Sequence, residues 1–382
     1  MKNILHVTNI YFTLPYFIGD QFYYFKNRGY NLHVICSPST YLKDYAFKMK
    51  FIFAEVEIVR AIKPLQDIKA IYVICKYIWT NQIEIVVGHT PKGALLAMIS
   101  AWIMRVPKRI YFRHGLVYET SVGFKRRLLM NIDRITSFCA TEIVCVSPSL
   151  SKRSLEDKLN IESKQCILGK GTCGGIDTKK KFNSIIINRF DIVELQKKLG
   201  ISDDTIVLGY CGRLVVDKGI IDLVKAFDYI HNKYTDKKIV LLLVGMFEDR
   251  DALPIEIKDK IINDNNIIYT GYIHDLIENY YSLMNIFILP SFREGFGMSV
   301  LEASAMQIPV LTTRVTGCVD SIIENVTGMF VDNNSDSVAS GIEYYINNPM
   351  IANQHGQNGR EFVVKYFDQE IIWREIEKLY EN

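Results

Sequence analysis

The sequence predicts an α/β protein built from two doubly wound units, each with a parallel sheet. Short runs rich in Ile, Val, Phe and Cys alternate with segments of helical length, which is typical of a parallel sheet covered by helices on both faces. This alternation occurs twice, on either side of a polar, basic stretch at 177–189. At 382 residues the chain is long enough for two domains that each bury a core. We therefore expect a linker at 177–189 between two domains.

Six strands are predicted before the linker, at 3–9, 31–36, 52–58, 83–88, 109–113 and 142–147. Five follow it, at 206–211, 239–244, 267–269, 286–289 and 310–313, with helices at 219–233, 275–284, 298–306 and 320–325. The last segment, 368–380, has the apolar spacing of an amphipathic helix. Because parallel sheets bind ligands at the carboxyl ends of their strands, we expect functional residues in the loops that follow the strands.

The amino-acid composition argues against several classes of protein. Hydrophobic residues make up 49% of the chain and charged residues 23%, which indicates a folded protein, and a net charge of +3 is too small for a nucleic-acid-binding protein. The eight cysteines occur singly, as in a reduced cytoplasmic protein. The chain starts directly in a strand, and its longest apolar run, 94–104, is about half of what a membrane-spanning helix needs. We expect a cytoplasmic protein.

The stretch 285–317 has the most informative pattern, namely strand, glycine-bearing turn, helix and strand. A helix that opens behind such a turn presents unpaired N–H groups and the positive end of its dipole, which suits a phosphate or diphosphate. Glu302, in or near the first turn of the helix, can accept hydrogen bonds from a ribose diol. The alternative is that Glu294 is a solvated loop carboxylate and that Glu302 stabilises the helix dipole.

A second loop, at 209–219, carries Arg213 and Lys218 between a strand and a helix. Cations held where negative charge develops on a leaving phosphate lower the barrier to its departure. The alternative interpretation is that both are surface residues flanking a turn.

The spacing Glu294-x7-Glu302, flanked by Pro-Ser and Pro-Val pairs, resembles the signature of retaining glycosyltransferases of family 4, which have the GT-B fold and transfer a sugar from a nucleotide donor. The resemblance implies that Arg213 and Lys218 clamp the donor diphosphate and that Glu294 acts with them in catalysis. The donor-binding residues that it implies are Gly212, Arg213, Lys218, Ile273, Glu294, Gly295, Phe296, Gly297 and Glu302.

The same resemblance implies a domain order. An N-terminal, acceptor-binding Rossmann-like domain is expected at 1–185, and a C-terminal, nucleotide-sugar-binding Rossmann-like domain at 186–365. The two are expected to face each other across a cleft, with a helix at 366–382 packed back on the first domain.

Two loops of the first half, at 88–93 and 111–119, each place a histidine at the end of a strand. They look like loops of a subgroup that acts on bacterial surface polysaccharides and lipid-linked oligosaccharides, as does the segment 60–64. The resemblance places His114 in catalysis, facing the donor sugar. It assigns to the acceptor side Arg60, His89, Lys92, Arg113 and Glu119. The alternative is that the histidines are structural residues with satisfied hydrogen bonds at helix starts.

Three further features have competing interpretations. The segment 169–175 fits Gly-x-Gly-x-x-Gly of dinucleotide sites, but no apolar helical stripe follows it, and it resembles instead the family's loop before the linker. The segment 249–251 spells a metal-binding Asp-x-Asp, which we interpret as a solvated helix start. The first loop departs from the family, because it has Gly19 alone where many relatives have two adjacent glycines.

The resemblance implies a retaining, metal-independent glycosyltransferase without a cofactor. The expected donor is a UDP-linked hexose or N-acetylhexosamine, and the expected acceptor is a polyprenyl-diphosphate-linked glycan or a polysaccharide. The basic, apolar segment 125–130 predicts a peripheral contact with the inner membrane, with a solvated helix face as the alternative. No nucleic-acid partner is expected. The rival functions are a sugar-nucleotide epimerase or phosphorylase on the same fold and a catalytically silent sugar-nucleotide-binding subunit.

Overall fold

The computed structural model describes residues 2–381 and divides into two compact units. The first unit comprises the described residues up to Gly175 together with those from Gln369 onward, and the second comprises Ile176–Asp368. Each unit contains one parallel sheet with helices packed against it, which confirms the predicted doubly wound fold class.

The first unit has a seven-stranded sheet with the order β3-β2-β1-β4-β5-β6-β7. Its elements are β1 Asn3–Val7, α1 Gln21–Asn27, β2 Asn31–Cys36, α2 Leu42–Met49, β3 Ile52–Glu55, α3 Pro64–Thr80, β4 Ile85–Gly88, α4 Pro91–Ile103, β5 Lys108–Arg113, α5 Gly123–Cys139, β6 Glu142–Cys145, α6 Pro148–Glu156 and β7 Gln165–Cys166. Single helical turns at Leu14–Ile18 and Glu162–Lys164 lie in the connections.

The second unit has a six-stranded sheet with the order β10-β9-β8-β11-β12-β13. Its elements are α7 Arg189–Leu199, β8 Ile206–Cys211, α8 Ile220–Lys233, β9 Ile239–Val244, α9 Ile255–Asn263, β10 Ile267–Tyr269, α10 Ile277–Tyr281, β11 Ile286–Leu289, α11 Met298–Ala305, β12 Val310–Thr313, β13 Gly328–Val331, α12 Ser335–Asn347 and α13 Pro349–Tyr366. Short 3₁₀ turns occupy Val216–Lys218 and Cys318–Asp320.

The central strands of both sheets are buried on both faces, which explains their nearly unbroken apolar runs. In the second unit, β8, β9 and β11 lie side by side and carry almost no exposed side chain. The eight cysteines are free thiols, and six of them are buried, as expected of small core residues. The apolar strands therefore form the scaffold, and the polar residues gather in the loops at their ends.

The boundary between the units falls ten residues before the predicted one, after Gly175 instead of after residue 185. The predicted linker packs within the second unit, because the guanidinium of Arg360 donates hydrogen bonds to the carbonyl oxygens of Phe182 and Ala305 at 3.1 and 2.5 Å. The Phe182 ring also lies 5.9 Å from that of Tyr281. Polar composition alone did not reveal these contacts.

One helix predicted for the second unit is not formed, and two edge strands, one in each unit, were not predicted. The helix expected at 320–325 is absent, since the chain turns at Asn325, which has a φ of 56°, and then enters β13. The Asn325 N–H donates to the Gly328 carbonyl at 2.8 Å, which closes this turn. The edge strands β7 and β13 were not predicted, because both are short, and both residues of β7 and two of the four residues of β13 are only partly buried.

The C-terminal helix, α14 Gln369–Glu381, belongs to the first unit. Its apolar face packs on α1, where the Trp373 ring lies 5.2 Å from that of Tyr24. Arg28 adds an ion pair to Glu377 at 3.0 Å. The apolar side of this amphipathic helix is thus buried against α1, and an ion pair lies at the edge of the contact.

Candidate functional sites in the two units

In the second unit, the loops after β8 and β11 lie side by side, because these strands are neighbours in the sheet. Gly219 has a φ of 72°, and a Cβ there would lie 2.0 Å from the Pro290 carbonyl oxygen. Only glycine permits both this backbone conformation and this close approach. The Phe292 N–H donates to the Asp217 carbonyl at 2.9 Å, so the loops are joined through their backbones.

Lys218 and Glu294, predicted from separate motifs, form an ion pair across these loops. Both side chains are largely buried, with exposed fractions of 15% and 13%. A second ion pair runs parallel to it, between Arg293 and Asp217 at 2.8 Å. The structure thus brings together a cation and a carboxylate from two motifs that are 76 residues apart.

Arg213 lies in the same loop as Lys218 but remains more exposed, and its guanidinium contacts Glu248 at 2.9 Å. Although burial acts to lower it, the pKa of Arg213 is raised by the neighbouring Glu248 carboxylate. Gly212, just before it, has a φ of 151°, and a Cβ there would lie 2.8 Å from the Tyr210 hydroxyl. Arg213 is therefore held by a carboxylate, Glu248, that the sequence motifs did not identify.

The turn before α11 has the features expected of an anion-binding helix start. Gly297 adopts the left-handed conformation, with a φ of 66°, directly before the first helical residue. Gly295 packs against the next loop so closely that a Cβ at Gly317 would lie 2.5 Å from the Gly295 carbonyl oxygen. Phe296 is buried, and its ring lies 5.3 Å from that of Phe367, which anchors the turn. The first amides of α11 therefore have a fixed position.

Glu302 is the fifth residue of α11, so it lies in the second turn of the helix rather than the first. Its carboxylate is buried and accepts a 2.6 Å hydrogen bond from the Tyr281 hydroxyl. Burial raises the pKa of Glu302, whereas the hydrogen bond from Tyr281 and the charge of Lys181 act to lower it. The alternative role as a dipole-stabilising first-turn residue does not fit this position.

Two remaining features of the second unit have different surroundings. Ile273 is half-buried in the loop that follows β10, at the edge of the sheet. The segment 249–251 is a turn, not a helix start, since α9 begins only at Ile255. Within it, the Asp251 carboxylate accepts the Asp217 N–H at 2.7 Å and so supports the loop that carries Lys218.

In the first unit, His89 and His114 follow the neighbouring strands β4 and β5. Nδ1 of His89 and Nε2 of His114 are 3.0 Å apart, a hydrogen-bond distance. The Phe17 ring stacks on His114, with ring centroids 4.2 Å apart. His89 is buried, whereas His114 is partly exposed. The structure therefore unites the two predicted histidines.

The predicted acceptor-side role of Arg113 does not fit its position. The side chain is completely buried, and its guanidinium donates to Asp133 at 2.6 Å and to Ser137 at 2.8 Å. Lys92 is also buried and forms a 2.5 Å ion pair with Asp67. Both cations therefore satisfy partners inside the first unit, because a charge at a buried strand end or helix start requires a counter-charge.

The other predicted acceptor-side residues lie apart. Arg60 is exposed in the loop between β3 and α3, and Glu119 is half-buried in the turn between β5 and α5. The strand β3 is at the edge of the sheet, with two strands between it and β4. The structure therefore does not join Arg60 to the histidines.

Three residues of these sites escaped the sequence motifs, namely His6, Glu248 and Tyr281. Each contacts a predicted site residue: His89 for His6, Arg213 for Glu248 and Glu302 for Tyr281. His6 lies inside an apolar strand, which was the one available signal that its side chain has a specific partner.

Comparison with known proteins gives a consistent result. The model for glycosyl transferases group 1 matches residues 191–362, and that for glycosyl transferase 4-like proteins matches residues 4–147. The capsular polysaccharide biosynthesis glycosyltransferase CapM of Staphylococcus aureus is 32% identical, over 100% of this chain and 97% of its own. An Escherichia coli UDP-Gal:alpha-D-GlcNAc-diphosphoundecaprenol alpha-1,3-galactosyltransferase is 22% identical, over 91% of this chain and 88% of its own.

The fold is also shared with solved structures. The crystal structure of Anabaena HepE in complex with UDP and glucose superposes with a TM-score of 0.83 at 16% identity, and covers 100% of both chains. WaaG, a glycosyltransferase involved in lipopolysaccharide biosynthesis, gives a TM-score of 0.74 at 14% identity, over 97% of this chain and 98% of its own. With two parallel-sheet units, matching family models and a full-length relative, the chain belongs to the group 1 glycosyltransferases of the GT-B fold.

Proposed function

We propose that this protein is a retaining glycosyltransferase that uses a UDP-linked hexose or N-acetylhexosamine. The observation that carries the proposal is the cluster at one edge of the second sheet. There Arg213, Lys218 and the start of α11 supply positive charge, and Glu294 and Glu302 supply hydrogen-bond acceptors. A diphosphate requires the positive charge, and the hydroxyl groups of a sugar and a ribose require the hydrogen-bond acceptors.

The proposed roles follow from these contacts. A bound diphosphate replaces Glu248 and Glu294 as the partner of the two cations, because its charge is greater and its oxygens are more numerous. The cations then stabilise the charge that develops as the anomeric C–O bond breaks. Glu294, released from Lys218, accepts hydrogen bonds from the sugar hydroxyls, and Glu302 accepts them from the ribose.

The charge needed at the diphosphate comes from the chain itself in this proposal. Arg213, Lys218 and the helix start together leave no requirement for a divalent metal or another cofactor. His114 contacts the donor sugar. The acceptor hydroxyl attacks from the side on which the diphosphate leaves, and a phosphate oxygen takes its proton, so that the configuration at the anomeric carbon is retained.

The acceptor in this proposal is a polyprenyl-diphosphate-linked glycan or a growing polysaccharide of the bacterial surface. Support comes from the names of two full-length relatives, one a capsular polysaccharide enzyme and one that acts on a diphosphoundecaprenol acceptor. His89 and Glu119 remain the acceptor-side candidates, with Arg60 at a separate place on the same unit. Lys92 and Arg113 are better explained by their buried ion pairs.

A lipid-linked acceptor requires access to a membrane, and the first unit has a surface that suits peripheral contact. Helix α3 presents to solvent one stripe of apolar and basic side chains, composed of Leu65, Ile68, Lys69, Tyr72, Val73, Lys76 and Trp79. Helix α5 presents a second stripe, composed of Phe124, Lys125, Arg127, Leu128, Arg134, Ile135 and Phe138. Both helices pack beside α4.

Apolar and aromatic side chains interspersed with cations are the pattern of interfacial helices on anionic lipid. Among the described residues, no helix is long and apolar enough to cross a bilayer. We propose that these two stripes rest on the cytoplasmic face of the inner membrane and so present the acceptor to the enzyme.

The test of the function is a donor screen. The protein is incubated with UDP-glucose, UDP-galactose, UDP-N-acetylglucosamine or UDP-N-acetylgalactosamine and a polyprenyl-diphosphate-linked acceptor, and the products are identified by mass spectrometry. We expect one donor to give an acceptor that is larger by one sugar. Conversion of the donor without an acceptor product favours an epimerase, release of a sugar phosphate favours a phosphorylase, and binding without turnover favours a silent subunit.

The membrane contact is tested by flotation with vesicles that contain anionic phospholipid. The double variant Leu65→Ser, Ile68→Ser should float less than the native protein. The matched control is Ile255→Ser, Ile262→Ser on the exposed side of α9 in the second unit, which should float normally. Native-like flotation of the Leu65→Ser, Ile68→Ser variant would remove the α3 stripe from the proposal.

A further inference from the structure

Three histidines of the first unit lie on one face of its central strands. His6 is on β1, His89 follows β4, and His114 follows β5, and these strands are neighbours in the sheet. The register pairs His6 with Val87, two residues before His89. Because side chains alternate along a strand, His6 and His89 point to the same side, with His89 one step closer to the carboxyl edge.

The three imidazoles form a continuous hydrogen-bonded chain. Nδ1 of His6 lies 3.0 Å from Nε2 of His89, and Nδ1 of His89 lies 3.0 Å from Nε2 of His114. The rings of His6 and His89 are nearly parallel, at 13°, and those of His89 and His114 are inclined by 29°. Nδ1 of His114, at the end of the chain, is buried and has no hydrogen-bond partner among the described residues.

The surroundings keep these rings neutral. His6 and His89 are 1% and 3% exposed. Burial lowers the pKa of His6 and of His114 to about 3, and burial together with the two neighbouring histidines lowers the pKa of His89 well below its ordinary value. A neutral imidazole has one N–H donor and one acceptor nitrogen, so each ring in the chain must choose one tautomer.

The tautomers of the three rings depend on one another. If His6 carries its proton on Nδ1, it donates to His89, which must then also carry its proton on Nδ1 and donate to His114. His114 then presents an Nδ1–H donor. If instead all three carry the proton on Nε2, the donors run in the opposite direction and His114 presents an acceptor at Nδ1. Any mixed set places two donors or two acceptors against each other.

We propose that His6 and His89 are positioning residues that set the tautomer of His114, and thereby decide whether its buried, unpartnered Nδ1 is a hydrogen-bond donor or an acceptor. The tautomeric linkage follows from the three rings alone. The role toward a sugar rests on the proposed glycosyltransferase function. His6 never touches the substrate and acts only through His89.

The direct test is the ¹⁵N NMR spectrum of the histidine rings in the full chain at neutral pH, without donor or acceptor. Long-range N–H correlations identify the protonated nitrogen of each ring. We expect the same nitrogen, all Nδ1 or all Nε2, to be protonated in His6, His89 and His114. A mixed set would overturn the linkage. His355, which bonds to Tyr345 in the second unit, is the internal control and should be unchanged by His6 variants.

A kinetic comparison tests the positioning role. His6→Leu fills the same apolar space but cannot hydrogen-bond to His89, so kcat should fall roughly 10-fold while the donor KM stays within about twofold. His6→Asn retains a polar group near the position of Nδ1 and should restore much of kcat. A native kcat in the leucine variant would overturn this role, and so would equal losses in both variants.

The two proposals fail separately. Uniform tautomers in a protein that transfers no sugar would leave the linkage intact and reject the proposed function. Sugar transfer by a protein with mixed tautomers would support the proposed function and reject the linkage.

Discussion

The hydroxyl of Tyr281 donates a 2.6 Å hydrogen bond to the carboxylate of Glu302, and both side chains are buried in the second unit. The pair joins α10 to α11 and holds the carboxylate close enough to Cys211, the last residue of β8, for its charge to act on that thiol. The motif identified Glu302, whereas its partner comes from a helix that the motif does not include. A buried carboxylate needs such a donor to stay oriented and ionised.

Replacing Tyr281 by Phe should weaken UDP binding by roughly 3- to 10-fold, because Glu302 loses the hydrogen bond that orients its carboxylate. Glu302→Ala should weaken it further and act mainly on the donor KM. Isothermal titration with UDP measures both effects. Tyr280→Phe, on the neighbouring residue, is the matched control. If Tyr281→Phe binds UDP as tightly as the native protein, Glu302 has no part in donor binding that depends on Tyr281.

Arg213→Ala and Lys218→Ala should each lower kcat by roughly 10²-fold or more, because each removes a cation whose contact strengthens as the leaving group departs. Circular dichroism and thermal unfolding should show that the fold survives. Lys225→Ala, on the exposed side of α8, is the control and should retain full activity. Small and equal losses of kcat in all three variants would indicate that Arg213 and Lys218 are surface residues without a role in catalysis.

Chelation of divalent metals should leave the rate nearly unchanged, because the proposed positive charge at the diphosphate comes from side chains and a helix start. The measurement is the initial rate with and without EDTA, after dialysis against a metal-free buffer. A complete loss of turnover that is restored by magnesium or manganese would contradict this expectation and direct attention to Asp249, since Asp251 already accepts a backbone N–H.

Stability should decrease below neutral pH because of the three linked histidines. The pKa of His6 and of His114 falls from 6.5 to about 3 on folding, so below pH 6.5 the unfolded chain binds protons that the folded chain does not bind. The free energy of unfolding therefore decreases as the pH falls from 6.5 toward 3. Each histidine contributes up to about 1.4 kcal/mol per pH unit.

Urea unfolding at pH 7 and at pH 5.5 measures this loss. His6→Leu should be less sensitive to the change of pH than the native protein by about one proton. The exposed His274→Gln is the control and should behave as the native protein does. The same pH sensitivity in the leucine variant would show that His6 is protonated in the folded state near its ordinary pKa.

The sequence was sufficient for features that depend on local pattern. The buried strands β8, β9 and β11 were predicted at their observed positions, because a strand covered on both faces must be apolar throughout. The ion pair between Lys218 and Glu294 also fits two motifs whose strands proved to be neighbours.

Features that depend on distant contacts could not be predicted. Arg113 ends a strand, as functional residues often do, but its guanidinium turns inward to Asp133, and periodicity does not reveal that direction. The segment 177–189 was predicted to be a linker from its polar composition, and its contact with Arg360, far along the chain, could not be read from that composition. His6 was hidden within an apolar strand, since only the sheet order places it beside His89.

We propose that sugar transfer proceeds with retention of configuration at the anomeric carbon. A double displacement on a carboxylate would also retain the configuration, but it forms a covalent glycosyl-enzyme, which we do not expect because Glu294 is already the partner of Lys218 in the turn before α11. Proton NMR of the new anomeric signal, with a UDP-α-linked donor identified by the screen, tests the retention. We predict the small coupling constant of an α-linked product. The large coupling constant of a β-linked gluco- or galacto-configured product would contradict the account.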